Sequence, residues 1–482
     1  MDESLSKPLA NFLELPYQEL EELNLKAKNR RKNRALLDLE SLEKEYKEYL
    51  KTESKIKAVT VAFSDLEGRF HMLDYDKDYL LGSSNNLTFD GSSVRGFSVT
   101  SESDLRLKID WPSFYWLPSN IFGPGKVLVF ADICTKDNKI HPSDFRARLK
   151  EYASELYSKK EIEINIGNEL EGFLFEGVDA ETRYTEREGF KLISPGGYYH
   201  SLPKDKLRLF IDATAEVQRA LGFENEKDHP EVAPSQFELN YKYSDVINAA
   251  DQIQIYKLVA RQIAENMNCT ACFLPKPLQD INGSGMHTNI SLFKKGKNLF
   301  YKNGENNTSE YVENFIENIL SYADDICLIL NSSVNSYRRL DPKYEAPNQI
   351  KYSASDRTSM IRLPLGDKNS TRIEVRSVGS DTNPYLLVYS LLKVGLQDKR
   401  KEVAKGKRPR TRTLPGNIYD ALRNFKSSDL ITEIMGESAQ GKYADLKEKT
   451  ANRSPKDLGK TIKKSEVIFH HEVTNQYIWN SF

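Results

Sequence analysis

Acidic side chains recur inside segments that otherwise read as β-strands. In NELEGFLF, Glu169 and Glu171 stand two apart, so an extended chain turns both to one face. In SQFELNY, Glu238 shares a face with Gln236 and Asn240, leaving Phe237, Leu239 and Tyr241 to the other. TRIEVRS sets Arg372, Glu374 and Arg376 against Ile373 and Val375. Each strand is expected to bury an apolar face and offer a charged one. Carboxylates that face one another in a closed space repel, which raises their pKa values and costs stability. A divalent cation removes that conflict. Oxygen-rich ligand sets suit Mg²⁺ or Mn²⁺, and one imidazole tilts a site toward Mn²⁺ without excluding Mg²⁺. Arg339, Arg357, Arg362, Arg372 and Arg376 crowd the same stretch and can clamp phosphate or carboxylate through bidentate hydrogen bonds. Hard cations beside arginines point to metal-dependent phosphoryl chemistry on a nucleotide.

The elements that must position these groups are legible in outline. AVTVAFSD, GRFHMLDYD and KVLVFADI are short β-type runs that suggest a small strand-rich domain reaching about residue 135. Beyond it, strands such as IEINIGNELEGFLFE, PSQFELNYKY and STRIEVRSV alternate with helices. Val246, Ala249, Ile253, Tyr256, Ala260 and Ile263 mark one helix with a single buried stripe. DINGSGMHTNISL (280–292) sets Gly283, Ser284 and Gly285 before His287, either a tight turn into a strand or a bare backbone for a ligand. Residues 1–50 are helix-like and polar, and their basic cluster KNRRKNR is expected to be a solvated face or an oligomer contact. KRKEVAKGKRPRTR (399–412) reads as an exposed connection.

Bulk composition narrows the classes. The 482 residues are 39% hydrophobic and 29% charged with a net charge of −1, so no global basic field argues for nucleic acid, and two domains are expected. The longest apolar runs fall short of the roughly 20 residues of a membrane span. Without an apolar signal core, a cytoplasmic protein is expected. The four cysteines make no disulfide framework, and Cys269 and Cys272 are expected to be buried, inert thiols on a strand.

Seven ordered segments carry a resemblance. NGSGMHTNISL, the Lys276–Pro277 pair before it, FDGSSVRGF (89–97), NELEGFLF, HPEVAPSQFE (229–238), NSYRRLDPKYEAP (335–347) and RIEVRSVGSDTNPYL (372–386) resemble the signatures of glutamine synthetase, bacterial type I. The resemblance implies an α+β fold of the glutamine synthetase/guanido kinase-like kind. A helical extension (1–38) would precede a β-grasp domain (39–135) and a catalytic domain (136–482) built on a curved antiparallel sheet. It implies a dodecamer of two stacked hexameric rings, with each active site between neighbouring subunits. Two or three Mg²⁺ or Mn²⁺ ions, ATP, glutamate and ammonium are the implied ligands; neither nucleic acid nor membrane is.

By motif position, Glu171, Glu231 and Glu238 would hold one ion beside glutamate and ammonium. Glu169, His287 and Glu374 would hold the other, on the nucleotide phosphates. Asp90, supplied by the adjacent subunit with Ser93 and Tyr198 nearby, corresponds to the ammonium-binding aspartate. Glu345 corresponds to the flap glutamate that excludes water and takes a proton, and Arg357 would neutralise the transferring phosphoryl group. Asn282, Gly283, Arg339 and Arg376 correspond to glutamate-binding positions, the glycines letting the substrate lie against the backbone. Glu226, Ser291, Arg362 and Arg372, with Arg357, correspond to nucleotide positions.

Some positions depart from the family pattern. The usual His-His-Glu reads His229-Pro230-Glu231, which removes one imidazole near the first ion. Ser355 replaces an arginine near the phosphate path, and Val99 an arginine of the feedback-inhibited subgroup. GNIYD resembles the loop whose tyrosine is adenylylated in some members, here Tyr419. These changes keep open a glutamate–amine ligase of the same family and, from another class, a catalytically inactive structural or regulatory ring.

Overall fold

The computed structural model describes residues 15–32, 34–180, 189–200, 203, 205–278, 280–304, 307–340, 346–398 and 412–452. The flap glutamate Glu345 and nearly all of the basic stretch 399–412 lie outside them. The chain forms two sheets. The smaller has five strands in the order β2 (Phe70–Asp76), β1 (Ala58–Ser64), β5 (Lys126–Cys134), β4 (Asp104–Trp116), β3 (Leu87–Asp90). β1 and β5 run parallel and the other pairs antiparallel.

Period-two alternation explains where this sheet sits. On β1 and β5, Val59, Val61, Phe63, Val127, Val129, Ala131 and Ile133 face the N-terminal helices, α1 (Tyr17–Arg31) and α2 (Leu39–Thr52). Ala62, Leu128 and Phe130 point the other way, into the core of the large domain. Both faces are therefore covered. α2 is capped by Asp38, whose side chain accepts from the Ser41 N–H, and its Tyr46 ring stacks on Phe114 at 4.5 Å.

α1 latches the two domains together. Asn24 donates to the carbonyls of Trp116 and Ala220 and accepts from the Trp116 N–H, all within 3.0 Å. Lys28 pairs with Glu224 at 3.1 Å, while Arg31 bonds Asn248 and donates to the Tyr115 hydroxyl at 2.7 Å. The expectation that KNRRKNR is solvated or an oligomer contact is corrected: Lys28 and Arg31 are buried within the chain, and only part of the cluster faces solvent. A second tie runs through α3 (Phe145–Lys160). Arg146 grips Asp251 with two hydrogen bonds of 2.8 Å and Asp110 of β4 with one of 2.7 Å.

The large sheet has ten strands in the path β13 (Gln349–Ser353), β14 (Ser359–Arg362), β15 (Ile373–Val375), β11 (Met286–Lys294), β6 (Ile162–Glu176), β8 (Gln236–Tyr241), β7 (Asn225–Pro230). The short strands β9 (Ser244–Asp245) and β10 (Cys269–Cys272) also pair with β6, and β12 (Lys297–Asn298) with β11. Every pairing is antiparallel except β13 with β14. The helix Lys206–Ala220 (α4) and the helix Val246–Asn266 (α5) pack behind the sheet. α5 lacks the single stripe its spacing suggests. Asn248, Asp251, Gln252, Gln254 and Lys257 are buried too, because other elements close over the faces that would otherwise meet water: Arg31 of α1 bonds Asn248, Arg146 of α3 grips Asp251, and Gln254 donates to Ser64 and Gly68. The four cysteines are free and buried.

The domain junction also holds Glu67, just beyond β1. Burial opposes its ionisation, but Lys447 at 2.7 Å and Arg95 at 2.8 Å hold its carboxyl down to about 2, against an ordinary 4.5. A carboxyl whose folded value is depressed contributes stability above its unfolded value and loses that contribution as pH falls. Glu67→Gln is therefore expected to lower the urea midpoint near neutral pH. The gap to wild type should narrow as pH falls from 4.5 toward 2, and fluorescence-monitored unfolding across that window checks it.

Candidate functional site

β6 runs between β8 and β11, and its register brings the acids together. Glu169 lies opposite Asn240 on one side and His287 on the other, and Glu171 opposite Glu238. β11 in turn pairs Asn289 with Glu374 of β15, and β7 pairs His229 with Glu238. The charged face is not solvated as the alternation suggests. Every residue of β8 is buried, and Glu374 is only 1% exposed.

Two groups of ligand-type side chains result. Glu169, His287 and Glu374 offer atoms within 4.8 Å of one another, and so do His229, Glu231 and Glu238. Burial works against ionising Glu169, but His287 and the Asn289 amide at 3.0 Å hold its carboxyl down to about 2. The second group is different. Burial, with Glu171 and Glu238 close by, pushes Glu231 up to about 9. Burial likewise raises Glu171, whose carboxylate accepts from the Gly285 N–H at 2.8 Å. Three carboxyl groups thus share one closed space in which burial outweighs the nearby positive groups, a conflict that a divalent ion would remove. A buried orphan atom fits the same conclusion. His229 Nδ1 lies 3.1 Å from the Pro230 carbonyl, while its Nε2 is buried without a hydrogen-bond partner. With the proton on Nδ1, Nε2 presents a bare lone pair.

His229 is the residue the sequence reading left out of its ligand set. Its signal was available: it stands two residues before Glu231, as Glu169 stands before Glu171. Asn289 was also passed over, although it shares a face of β11 with His287 and Ser291. Its amide joins the first group to an arginine, donating to Glu169 while Arg372 Nε donates to its carbonyl oxygen at 3.0 Å.

Beside the Glu169 group opens a cavity of about 510 Å³, lined by Glu169, Glu226, Tyr243, Asn289, Ser291 and Arg372 among others. Three of the residues expected to meet nucleotide, Glu226, Ser291 and Arg372, meet there. Arg362 sits elsewhere, donating to Glu374 at 3.0 Å, and Arg376 pairs with the other oxygen of the same carboxylate. Arg357 is exposed in the turn between β13 and β14.

The glycine stretch is explained by an arginine. A Cβ on Gly283 would lie 2.3 Å from the Pro275 carbonyl and 3.0 Å from Arg339 Cγ, and one on Gly285 would lie 2.3 Å from Arg339 Nη2. The glycines make room for Arg339. Arg339 is buried, donates one Nη2 hydrogen bond to the Arg376 carbonyl, and keeps Nη1 buried without a partner. Asn282 and Gly283 border this notch, the Gly283 carbonyl accepting from Gln236 at 3.0 Å.

The remaining expected residues lie further out. Tyr198 is half-exposed, stacked on Tyr199 at 3.8 Å, and both rings meet His229 edge-on. Asp90 and Ser93 sit together on the small sheet's edge. The exposed Asp90 carboxylate accepts from the Ser92 and Ser93 hydroxyls at 2.6 Å, bonds that hold its pKa below the ordinary value. Among the described residues no hydrogen bond links either one to the two acidic groups. The Tyr419 hydroxyl donates to the Ala451 carbonyl at 2.7 Å.

Comparison with known proteins bears on this site. The family models described as glutamine synthetase, catalytic domain, and glutamine synthetase, beta-grasp domain, match residues 142–461 and 55–136. A glutamine synthetase of Methanosarcina mazei is 35% identical over 383 residues, 76% of this chain and 84% of its own. One from Staphylococcus aureus strain MW2 is 34% identical over 418 residues, 82% of this chain and 91% of its own. The cryo-EM structure of Plasmodium falciparum glutamine synthetase shares the fold with a TM-score of 0.76 at 22% identity, covering 88% of this chain and 97% of that one. A structure described as a GmaS/ADP complex aligns at 0.70 and 25% identity, over 86% of this chain and 95% of that one. The small domain is thus a β-grasp domain and the large sheet that of the catalytic domain.

Replacing one facing carboxylate separates repulsion from ligation. Glu238→Gln is expected to leave the metal-free protein at least as stable as wild type, because it removes one of the mutually repelling groups. The same change should weaken Mn²⁺ binding by roughly tenfold or more. Melting temperatures with chelator and across a Mn²⁺ titration test both halves.

Proposed function

The chain belongs to the glutamine synthetase family, and we propose that it joins ammonia to the γ-carboxylate of L-glutamate with cleavage of ATP. The observation that carries this reading is the pairing of two acidic groups along β6. One opens into a nucleotide-sized cavity, and the other lies near an arginine notch with an unpartnered N–H.

A carboxylate cannot expel oxide, so its oxygen must first be phosphorylated, giving γ-glutamyl phosphate. Two or three Mg²⁺ or Mn²⁺ ions, held by Glu169, His287 and Glu374 and by Glu231 and Glu238 with Glu171, would neutralise charge on the phosphoryl oxygens. His229, whose Nδ1 lies 3.6 Å from Glu231, would add a nitrogen ligand to the second group. Glu226, Ser291 and Arg372 hold the nucleotide, and Arg357 closes onto the phosphates from its exposed turn. Arg362 and Arg376 act first by fixing Glu374. Arg339, bordered by Asn282 and Gly283, binds the substrate carboxylate through its free Nη1. Ammonium is no nucleophile until it loses a proton. Asp90, kept ionised by Ser92 and Ser93, attracts the cation, and Glu345 accepts the proton and excludes water. In this reading Asp90 serves the neighbouring subunit's site within a dodecamer, and the protein works in the cytoplasm. No helix among the described residues is long and apolar enough to cross a membrane.

A second nucleophile has one observation in its favour. The Tyr198–Tyr199 stack forms an aromatic wall beside His229, where an alkyl amine would pack. Glutamate-dependent phosphate release with ammonium, methylamine, ethanolamine and putrescine decides the matter. Preference for ammonium is expected; preference for any amine replaces the synthetase reading with the amine-ligase one. No release with any donor would favour a structural ring. Arg339→Met should raise the KM for glutamate by roughly tenfold or more and leave that for ATP nearly unchanged, in steady-state assays.

A further inference from the structure

Asn289 stands between the Glu169 group and the neighbouring cavity, and the two ends of its amide bond unlike charges. Its Nδ2 donates to Glu169 Oε1 at 3.0 Å, and its Oδ1 accepts from Arg372 Nε at 3.0 Å. A carboxylate only accepts and a guanidinium only donates, so a single orientation of the amide satisfies both. Few side chains of that length do the same. An aspartate would set a second carboxylate against Glu169, and a leucine of similar size would bond neither neighbour.

The sheet directs the amide to these two partners. On β6 its register neighbour is Gly167, which has no side chain, so the amide meets Glu169 diagonally across the strands. On β15 its neighbour is Glu374, whose oxygens are taken by Arg376 and Arg362. Asn289 is 8% exposed, so water competes weakly for either bond.

Each bond also settles which atom is left over. With Oε1 of Glu169 held by Asn289, Oε2 is the oxygen that faces His287, 3.5 Å from its Nδ1. At the other end, Nε of Arg372 is held by Asn289 and Nη1 by the Ser370 carbonyl at 3.3 Å. Among the described residues Nη2 makes no hydrogen bond, and Arg372 lines the cavity. One amide therefore orients a carboxylate oxygen of one site and a guanidinium edge of the other.

We propose that Asn289 is a positioning residue that couples the metal group to the nucleotide cavity. The bond it receives from Arg372 fixes the bond it gives to Glu169, and so sets how tightly the Glu169 group holds its ion. Such coupling is reciprocal, so the ion in turn orders Arg372 for the nucleotide. The inference rests on the ligase reading for what the two sites bind. Its test is a double-mutant cycle on Mn²⁺ binding to the full chain, followed by calorimetry. Nucleotide is left out, so that metal bridging to phosphate contributes nothing. Asn289→Leu should weaken one Mn²⁺ step by roughly tenfold or more and leave the others unchanged. Arg372→Lys keeps the charge but loses the Nε–H, and should weaken the same step by roughly fivefold or more. In the double variant Arg372→Lys should add nothing to the loss caused by Asn289→Leu. Losses that add, or Mn²⁺ steps unchanged in Asn289→Leu, overturn the proposal while the ligase reading stands. Absence of any Mn²⁺ binding by the wild type overturns both. Should Asn289→Leu not fold, Arg372→Lys decides alone: a step weakened as stated supports the coupling, and unchanged steps overturn it.

Discussion

Several carboxylates must share one buried face of β6 and its neighbours, and every other feature of the site answers that constraint. On the Glu169 side the protein supplies its own positive groups. His287 approaches Glu169 and Glu374, while Arg362 and Arg376 each take one oxygen of Glu374. On the Glu231 side His287 and Arg339 act on Glu171, but burial and the neighbouring carboxylates outweigh them. There the conflict is carried by protons, and the Gly285 N–H is the main donor offered to Glu171. The two halves of one strand face are therefore tuned in opposite senses, the Glu169 carboxyl held down and the Glu231 carboxyl pushed up.

The same constraint accounts for the backbone around β11. Arg339 must lie near Glu171, and its side chain passes where ordinary residues would carry Cβ atoms. Gly283 and Gly285 are the consequence. A motif that looks like a ligand cradle is, in this molecule, the slot that admits a guanidinium.

Much of this was legible in the chain itself, for a definite reason. A two-residue period places Glu169 with Glu171, and Arg372 with Glu374 and Arg376, whatever the tertiary structure. The strands β1, β2, β5 and β6 follow their apolar alternation closely. What local pattern cannot supply is pairing. Nothing near position 287 says that it will lie opposite 169, or that 229 will lie opposite 238; those meetings are made by β11 and β7. By family position His229 carries no ligand role, and the departure from the pattern lies at its neighbour, Pro230. Burial was misjudged for a related reason. One stripe on α5 is visible, but Arg31, Ser64 and Arg146, which meet its other faces, stand 217, 190 and 105 positions before their partners.

The N-terminal latch has a consequence for how the protein is made. Asn24, Lys28 and Arg31 find their partners at Ala220, Glu224 and Asn248, separations of 196, 196 and 217 residues. A ribosome delivers the chain from its N-terminus, so α1 must wait, its cationic face unmatched, until α5 has left the exit tunnel. The β-grasp domain can assemble early on its local hairpins, whereas its outer clasp closes only once residues 220–248 exist. α1 is thus made well before the partners it docks on. Its docking marks the moment at which two separately folded halves become one molecule.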